Sequence, residues 1–147
     1  MIIIPHMLVG AAIGVYSKNI ETAFLFGLVS HYLLDLLPHW EYFTEAKVSK
    51  ISDALKILAD FFIGLALVSL LLWDSPGKII IAGAILGSLL PDVLCFLSNM
   101  YDGFGSKILR VHFNFHYQLH YFKDLSFWPG LPAALIVIIA SVFLIWG

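Results

Sequence analysis

Residues 130–146, GLPAALIVIIASVFLIW, run for seventeen positions without a charged side chain. A bilayer's hydrocarbon core is crossed by ~20 apolar residues, with a usable range of roughly 17–25. Four more apolar stretches precede this one, at 2–16, 20–37, 51–73 and 79–97. The first is short for a span, the second adequate, and the third long enough to cross with some tilt. The chain is 61% hydrophobic and 12% charged, about half the ~25% charged share of soluble domains. A 147-residue chain buries only part of its surface on folding, so the bilayer is the expected solvent. The N-terminal MIIIPH lacks a basic region and a small-residue cleavage site, and reads as part of the mature protein.

Composition also excludes classes. A formal charge of −2 argues against a nucleic-acid binder, which shows a basic face. The single cysteine, Cys95, excludes an internal disulfide and a multi-cysteine zinc ribbon. Connections such as SKN and DSPGK are short, as between antiparallel neighbours. The expectation is one all-α domain over residues 1–147, a polytopic integral membrane protein with four to five membrane helices.

Residues 104–122, FGSKILRVHFNFHYQLHYF, break the pattern. At 100° per residue, Ile108, Val111, Phe115, Leu119 and Phe122 make one apolar stripe. Lys107, Arg110, Asn114 and Gln118 fall opposite. This predicts an amphipathic helix lying at the membrane interface, with His112, His116 and His120 along its flank. If 2–16 spans, Lys18 and Lys78 share one side, and Lys47, Lys50, Lys107, Arg110 and Lys123 share the other. The positive-inside bias makes the second side cytoplasmic.

The chemistry-bearing residues converge on that side. His6 opens the first apolar run, and Pro38-His39 closes the second. The segment SHYLLDLLPHW puts His31 and Asp35 four apart, on one helix face. GSLLPD brings Asp92, with Pro91 expected to end its helix as Pro38 ends its own. The carbonyl of Leu34 would then lose its helical donor. Imidazole and carboxylate are donors that suit zinc. His6, His31, Asp35, His39, Asp92, His112, His116 and His120 are the candidate metal ligands, with Asp35 and Asp92 as catalytic carboxylates. Ionisable groups inside spans are costly and functional by default. Each also has a structural reading: His31 as a core histidine, Asp92 as a helix cap. Asp60, one turn after Lys56, reads either as an i,i+4 ion pair or as a residue orienting a ligand histidine.

PHMLVG, SHYLLDLLPHW, GSLLPD and HFNFH together resemble the motifs of the membrane-bound, predicted metal-dependent hydrolases of bacteria and archaea. Here the Ser-His-x3-Asp segment precedes the Pro-Asp and paired-histidine segments instead of following them. HYLLDLLPH is more loosely similar to the metal helix of zinc-dependent phospholipase C and its nuclease relatives. The resemblance implies a divalent ion, zinc by its ligands, and hydrolysis of a phosphoester or lipid headgroup bond at the cytoplasmic membrane face. Membrane lipids and a lipid or small phosphoester substrate are the expected partners. Two other functions fit the same residues: a metal or proton carrier using them as transit ligands, and a non-catalytic membrane scaffold.

Overall fold

Apolar runs punctuated by short polar turns leave the backbone no choice in an apolar solvent but to satisfy its hydrogen bonds internally, as helix. A computed structural model describes residues 1–40, 51–100, 104–120 and 124–147, with the side chains at 53, 99–100, 104–106, 120 and 124 outside that set. The elements are α1 (Ile3–Tyr16), α2 (Ile20–Asp35), β1 (His39–Trp40), α3 (Ile51–Leu71), α4 (Lys78–Met100), α5 (Phe104–His120), β2 (Asp124–Leu125) and α6 (Phe127–Trp146). Among the described residues, three helices are long and apolar enough to cross a membrane: Ala54–Leu71 in α3, Lys78–Ser98 in α4 and Phe127–Trp146 in α6. α1 is a shorter apolar helix, and α2 has only 16 residues. Lys47, Lys50, Phe122 and Lys123 lie outside the described residues.

Small residues set the helix spacing. Gly10 and Gly14 of α1 face α4, and a Cβ at Gly10 would come 2.6 Å from Ser88 Oγ and 3.0 Å from Ile85 Cα. On its next face α4 turns Gly83 and Gly87 to α2, where a Cβ at Gly83 would lie 2.5 Å from Ile20. Gly27 of α2 meets the backbone at Ala84 and Ser88 in return. Two G-x-x-x-G spacings thus let three backbones approach closely, which is how helices associate in lipid. Met7, Leu8, Ala11, Val68, Leu72 and Ile81 form the buried core around α1. These pairings fix directions. α1, α3 and α6 run one way and α2 and α4 run back, so Lys18 and Lys78 share one end.

Two helix ends differ in how proline is used. α2 stops at Asp35, three residues before Pro38, and Leu37 N–H donates to the Leu34 carbonyl at 3.0 Å. That carbonyl is therefore satisfied by a tighter turn, against expectation. Pro91, by contrast, ends nothing: it lies inside α4, fully buried. A proline interrupts one helical hydrogen bond, but packing against α1 and α2 on both sides carries the helix through. After Pro38, His39 and Trp40 pair in parallel with Asp124 and Leu125, a two-residue bridge that ties the α2 exit to the start of α6. Gly130 of α6 sits directly on Trp40, so close that a side chain there would strike its backbone.

Candidate metal centre

The packing that joins α1, α2 and α4 carries their polar residues to one place. His6 comes from the second turn of α1, His31 and Asp35 from the last turns of α2, Asp92 from the turn after Pro91, and His116 from α5. His6, His31 and Asp35 are fully buried, and His116 is nearly so. Asp35 stands at the middle. Its Oδ1 lies 3.1 Å from His6 Nε2 and 2.8 Å from the amino group of Met1. Its Oδ2 lies 3.0 Å from His31 Nε2 and 3.2 Å from His116 Nε2. Asp92 Oδ1 stands 3.6 Å from both of those nitrogens, and its side chain keeps 34% exposure. His31 Nε2 and His116 Nε2 are 2.8 Å apart. The rings of His6 and His31 stack with centroids 4.2 Å apart.

Backbone carbonyls orient two of the rings. His31 Nδ1–H donates to the Ser88 carbonyl at 2.6 Å, which turns Nε2 towards the carboxylates. A ligand histidine is typically fixed in this way. His112 Nε2–H donates to the Pro91 carbonyl at 3.1 Å, so the nitrogen that could have joined the cluster pins α5 to α4 instead. Burial holds the His112 imidazole below its usual range, and the neighbouring His116 and His31 push it the same way, against the pull of the Pro91 carbonyl. His112 is accordingly neutral at neutral pH.

The donors fit a divalent cation. His6, His31 and Asp35 offer ligand atoms within 4.8 Å of one another, as do His31, Asp92 and His116. Four ligands around a tetrahedral zinc at ~2.0–2.1 Å stand roughly 3.3 Å apart. The observed separations bracket that value. Among the described residues neither ring nitrogen of the buried His6 makes a hydrogen bond, Nε2 meeting the Asp35 carboxylate only as an ion-pair contact; leaving such a group unsatisfied costs about 1–3 kcal/mol. A cation relieves it. These buried histidine and aspartate groups can hold a metal ion.

Not every candidate reaches this centre. His39 is fully buried in the β1 bridge, and its Nδ1–H donates to the Leu37 carbonyl at 2.6 Å. It joins neither ligand group. The side chain of His120 lies outside the described residues. Asp60 accepts the Ile3 N–H at 2.6 Å, at the first turn of α1. Its carboxylate thus caps the positive end of the helix that carries His6, and it acts on that helix as a whole. Two contributors had escaped notice in the sequence. One is the Ser88 carbonyl, and backbone groups leave no residue signature. The other is Tyr32, whose ring lies 5.6 Å from Phe115 and 6.2 Å from His116 at the α2–α5 seam. Adjacent to His31 but 100° around the helix, it has no spacing that would mark it.

No family model, curated protein or solved structure matches this chain.

Proposed function

We propose that this chain is a membrane-embedded, metal-dependent hydrolase of phosphoester or lipid headgroup bonds, working at the cytoplasmic face with zinc. One observation carries the reading: three imidazole Nε2 atoms and two carboxylates from four helices converge, while the second nitrogen of His31 is held by a carbonyl. His31, His116, Asp35 and Asp92 would hold the ion, with His6 completing the set through Asp35. When bound, the ion supplies Lewis acidity, lowering the pKa of water and polarising a phosphoryl or acyl oxygen. Asp35, wholly buried, balances charge and orients His6, His31 and His116 at once. Asp92, the more exposed carboxylate and the one with the longer contacts, would be the ligand that gives way to water, taking its proton and returning it to the leaving group.

α1 and α2 complete the bundle as short spans beside α3, α4 and α6, for five membrane helices. α5 lies at the interface. Its inward face is His112, Phe113 and His116, while Ile108, Val111 and Phe115 remain 75%, 71% and 51% exposed. A surface helix whose apolar stripe is left outside the protein is suited to lie in lipid. The carrier reading is less well supported, because a relay needs ionisable groups spread through the depth. These gather at one level, and Asp60 is occupied by backbone. Metal analysis of detergent-purified protein, then a screen of phosphoester and phospholipid substrates with and without chelator, tests the proposal. Bound zinc and chelator-sensitive hydrolysis are expected. Metal flux into liposomes without hydrolysis would replace it with the carrier.

A further inference from the structure

From the Lys18 end of the bundle a groove of about 710 Å³ runs between α1, α2 and α6 as far as Val9 and Leu33, on a face of α2 other than that of His31 and Asp35. That volume lies in the range of small-ligand sites, ~300–1,000 Å³. Its walls are Ala12, Ile13, Phe26, Val29, Leu33 and Leu144. The hydroxyl groups lining it are already committed. Ser17 donates to the Ile13 carbonyl, Ser30 to Gly27, Ser141 to Val137, and Tyr16 to Leu144. The groove thus presents hydrocarbon along its length and asks no polar atom of an occupant there. Its mouth differs. Lys18 is the one charged residue lining the groove, is exposed, and has no ion-pair partner among the described residues. Asn19 beside it is taken up in capping α2 through Thr22.

An apolar trough with a single unpaired cation at its rim is complementary to an amphiphile with one negative head. We infer that the groove holds one acyl chain of an anionic phospholipid from the leaflet at the Lys18 end, with the headgroup phosphate on Lys18. The site is separate from the metal centre and does not depend on its chemistry. The Lys18 end is where α1 passes into α2, so the bound lipid would brace the turn joining two helices too short to anchor themselves.

Titration of the detergent-purified full chain with phosphatidylglycerol or phosphatidylcholine of identical acyl chains, read by native mass spectrometry, tests this. One tightly retained phosphatidylglycerol per chain is expected, preferred by roughly fivefold, as one lysine near a membrane surface gives for an anionic headgroup. Lys18→Gln should abolish the preference and Lys18→Arg should keep it. Val29→Trp, from a half-exposed position on the groove wall, should lower retention of both lipids. Equal retention of the two lipids by the unmodified chain overturns the inference. So does a preference that survives Lys18→Gln, an exposed substitution that leaves the fold alone.

Discussion

Asp35 is the residue on which the centre turns, because each of its oxygens serves a different partner. Removing it strips His6 of its one close carboxylate among the described residues and leaves His31 and His116 facing each other across 2.8 Å. Asp35→Ala should therefore take most of the metal from the purified protein, measured per chain at equal abundance. Asp92→Ala should do likewise, since a zinc site needs three or four protein ligands. Asp60→Asn provides the contrast. It keeps an acceptor for Ile3 N–H but loses charge at the α1 terminus, a cost of ~0.3–1 kcal/mol, up to ~2 when partly buried. It should lower the melting temperature while costing metal affinity at most about 10–100-fold. A second pair separates ligand from strut on one helix. His116→Ala should empty the centre. His112→Ala should leave metal bound through His116 and only loosen the contact of α5 with α4, detectable as faster proteolysis within α5. Equal metal loss in both histidine variants would mean that α5 docking, not coordination by His116, holds the ion. In the sequence, His112, His116 and His120 share one spacing; only the Pro91 carbonyl separates the first two. A backbone acceptor on another helix cannot be read from residue types.

At the scale of elements, five apolar runs and one amphipathic period match the six helices among the described residues to within a few residues, because apolar runs and a 3.6-residue period are strong signals. The partners were harder to read. G-A-A-I-G at 10–14 and G-A-I-L-G at 83–87 are both visible in the sequence, but a spacing of small residues names no partner. Pro91 shows the opposite failure. Proline in an isolated helix costs ~3 kcal/mol, and the local rule ends α4 there; contacts on two faces of α4 override it. For α5 the period identified an apolar stripe, but the bundle chose the histidine flank beside it, since buried donors gain more from the centre than leucines gain from protein over lipid. These elements make a further prediction. Gly87→Leu would drive its side chain into the Phe24 and Leu28 backbone of α2 and part α2 from α4. His31 and Asp35 would then separate from Ser88 and Asp92. Metal content should collapse although residue 87 is no ligand, whereas Leu86→Ala, at an exposed position, should leave it unchanged.

For the whole molecule, the relevant quantity is depth. Trp128 and Trp146 at the two ends of α6 are 79% and 75% exposed, and eighteen helical residues separate them by about 27 Å. That matches a hydrocarbon core of ~30 Å with an aromatic residue at each boundary. Tyr16 hydroxyl donates to the Leu144 carbonyl at 2.8 Å, which sets the level of α1 against α6. Counting back at 1.5 Å per residue, His6 lies about 15 Å from that level and Trp128 about 24 Å. If α6 crosses a bilayer between its two tryptophans, the centre lies roughly 10 Å inside the boundary nearest it, with α3 and α4 both continuing outward past it. The starts of α3 and α6 and the ends of α2 and α4 share this end, and the α1–α2 and α3–α4 turns share the other. Reporter fusions after Lys50 and after Lys123 should therefore agree with each other and disagree with a fusion after Lys78. The positive-inside bias further predicts that the agreeing pair is cytoplasmic. If all three read reversed, the centre faces outward and stays intact, because its geometry depends on helix direction and not on which compartment lies beyond. If Lys50 and Lys123 report opposite sides, α2 and α5 cannot meet at one boundary, and the five donors cannot belong to one site.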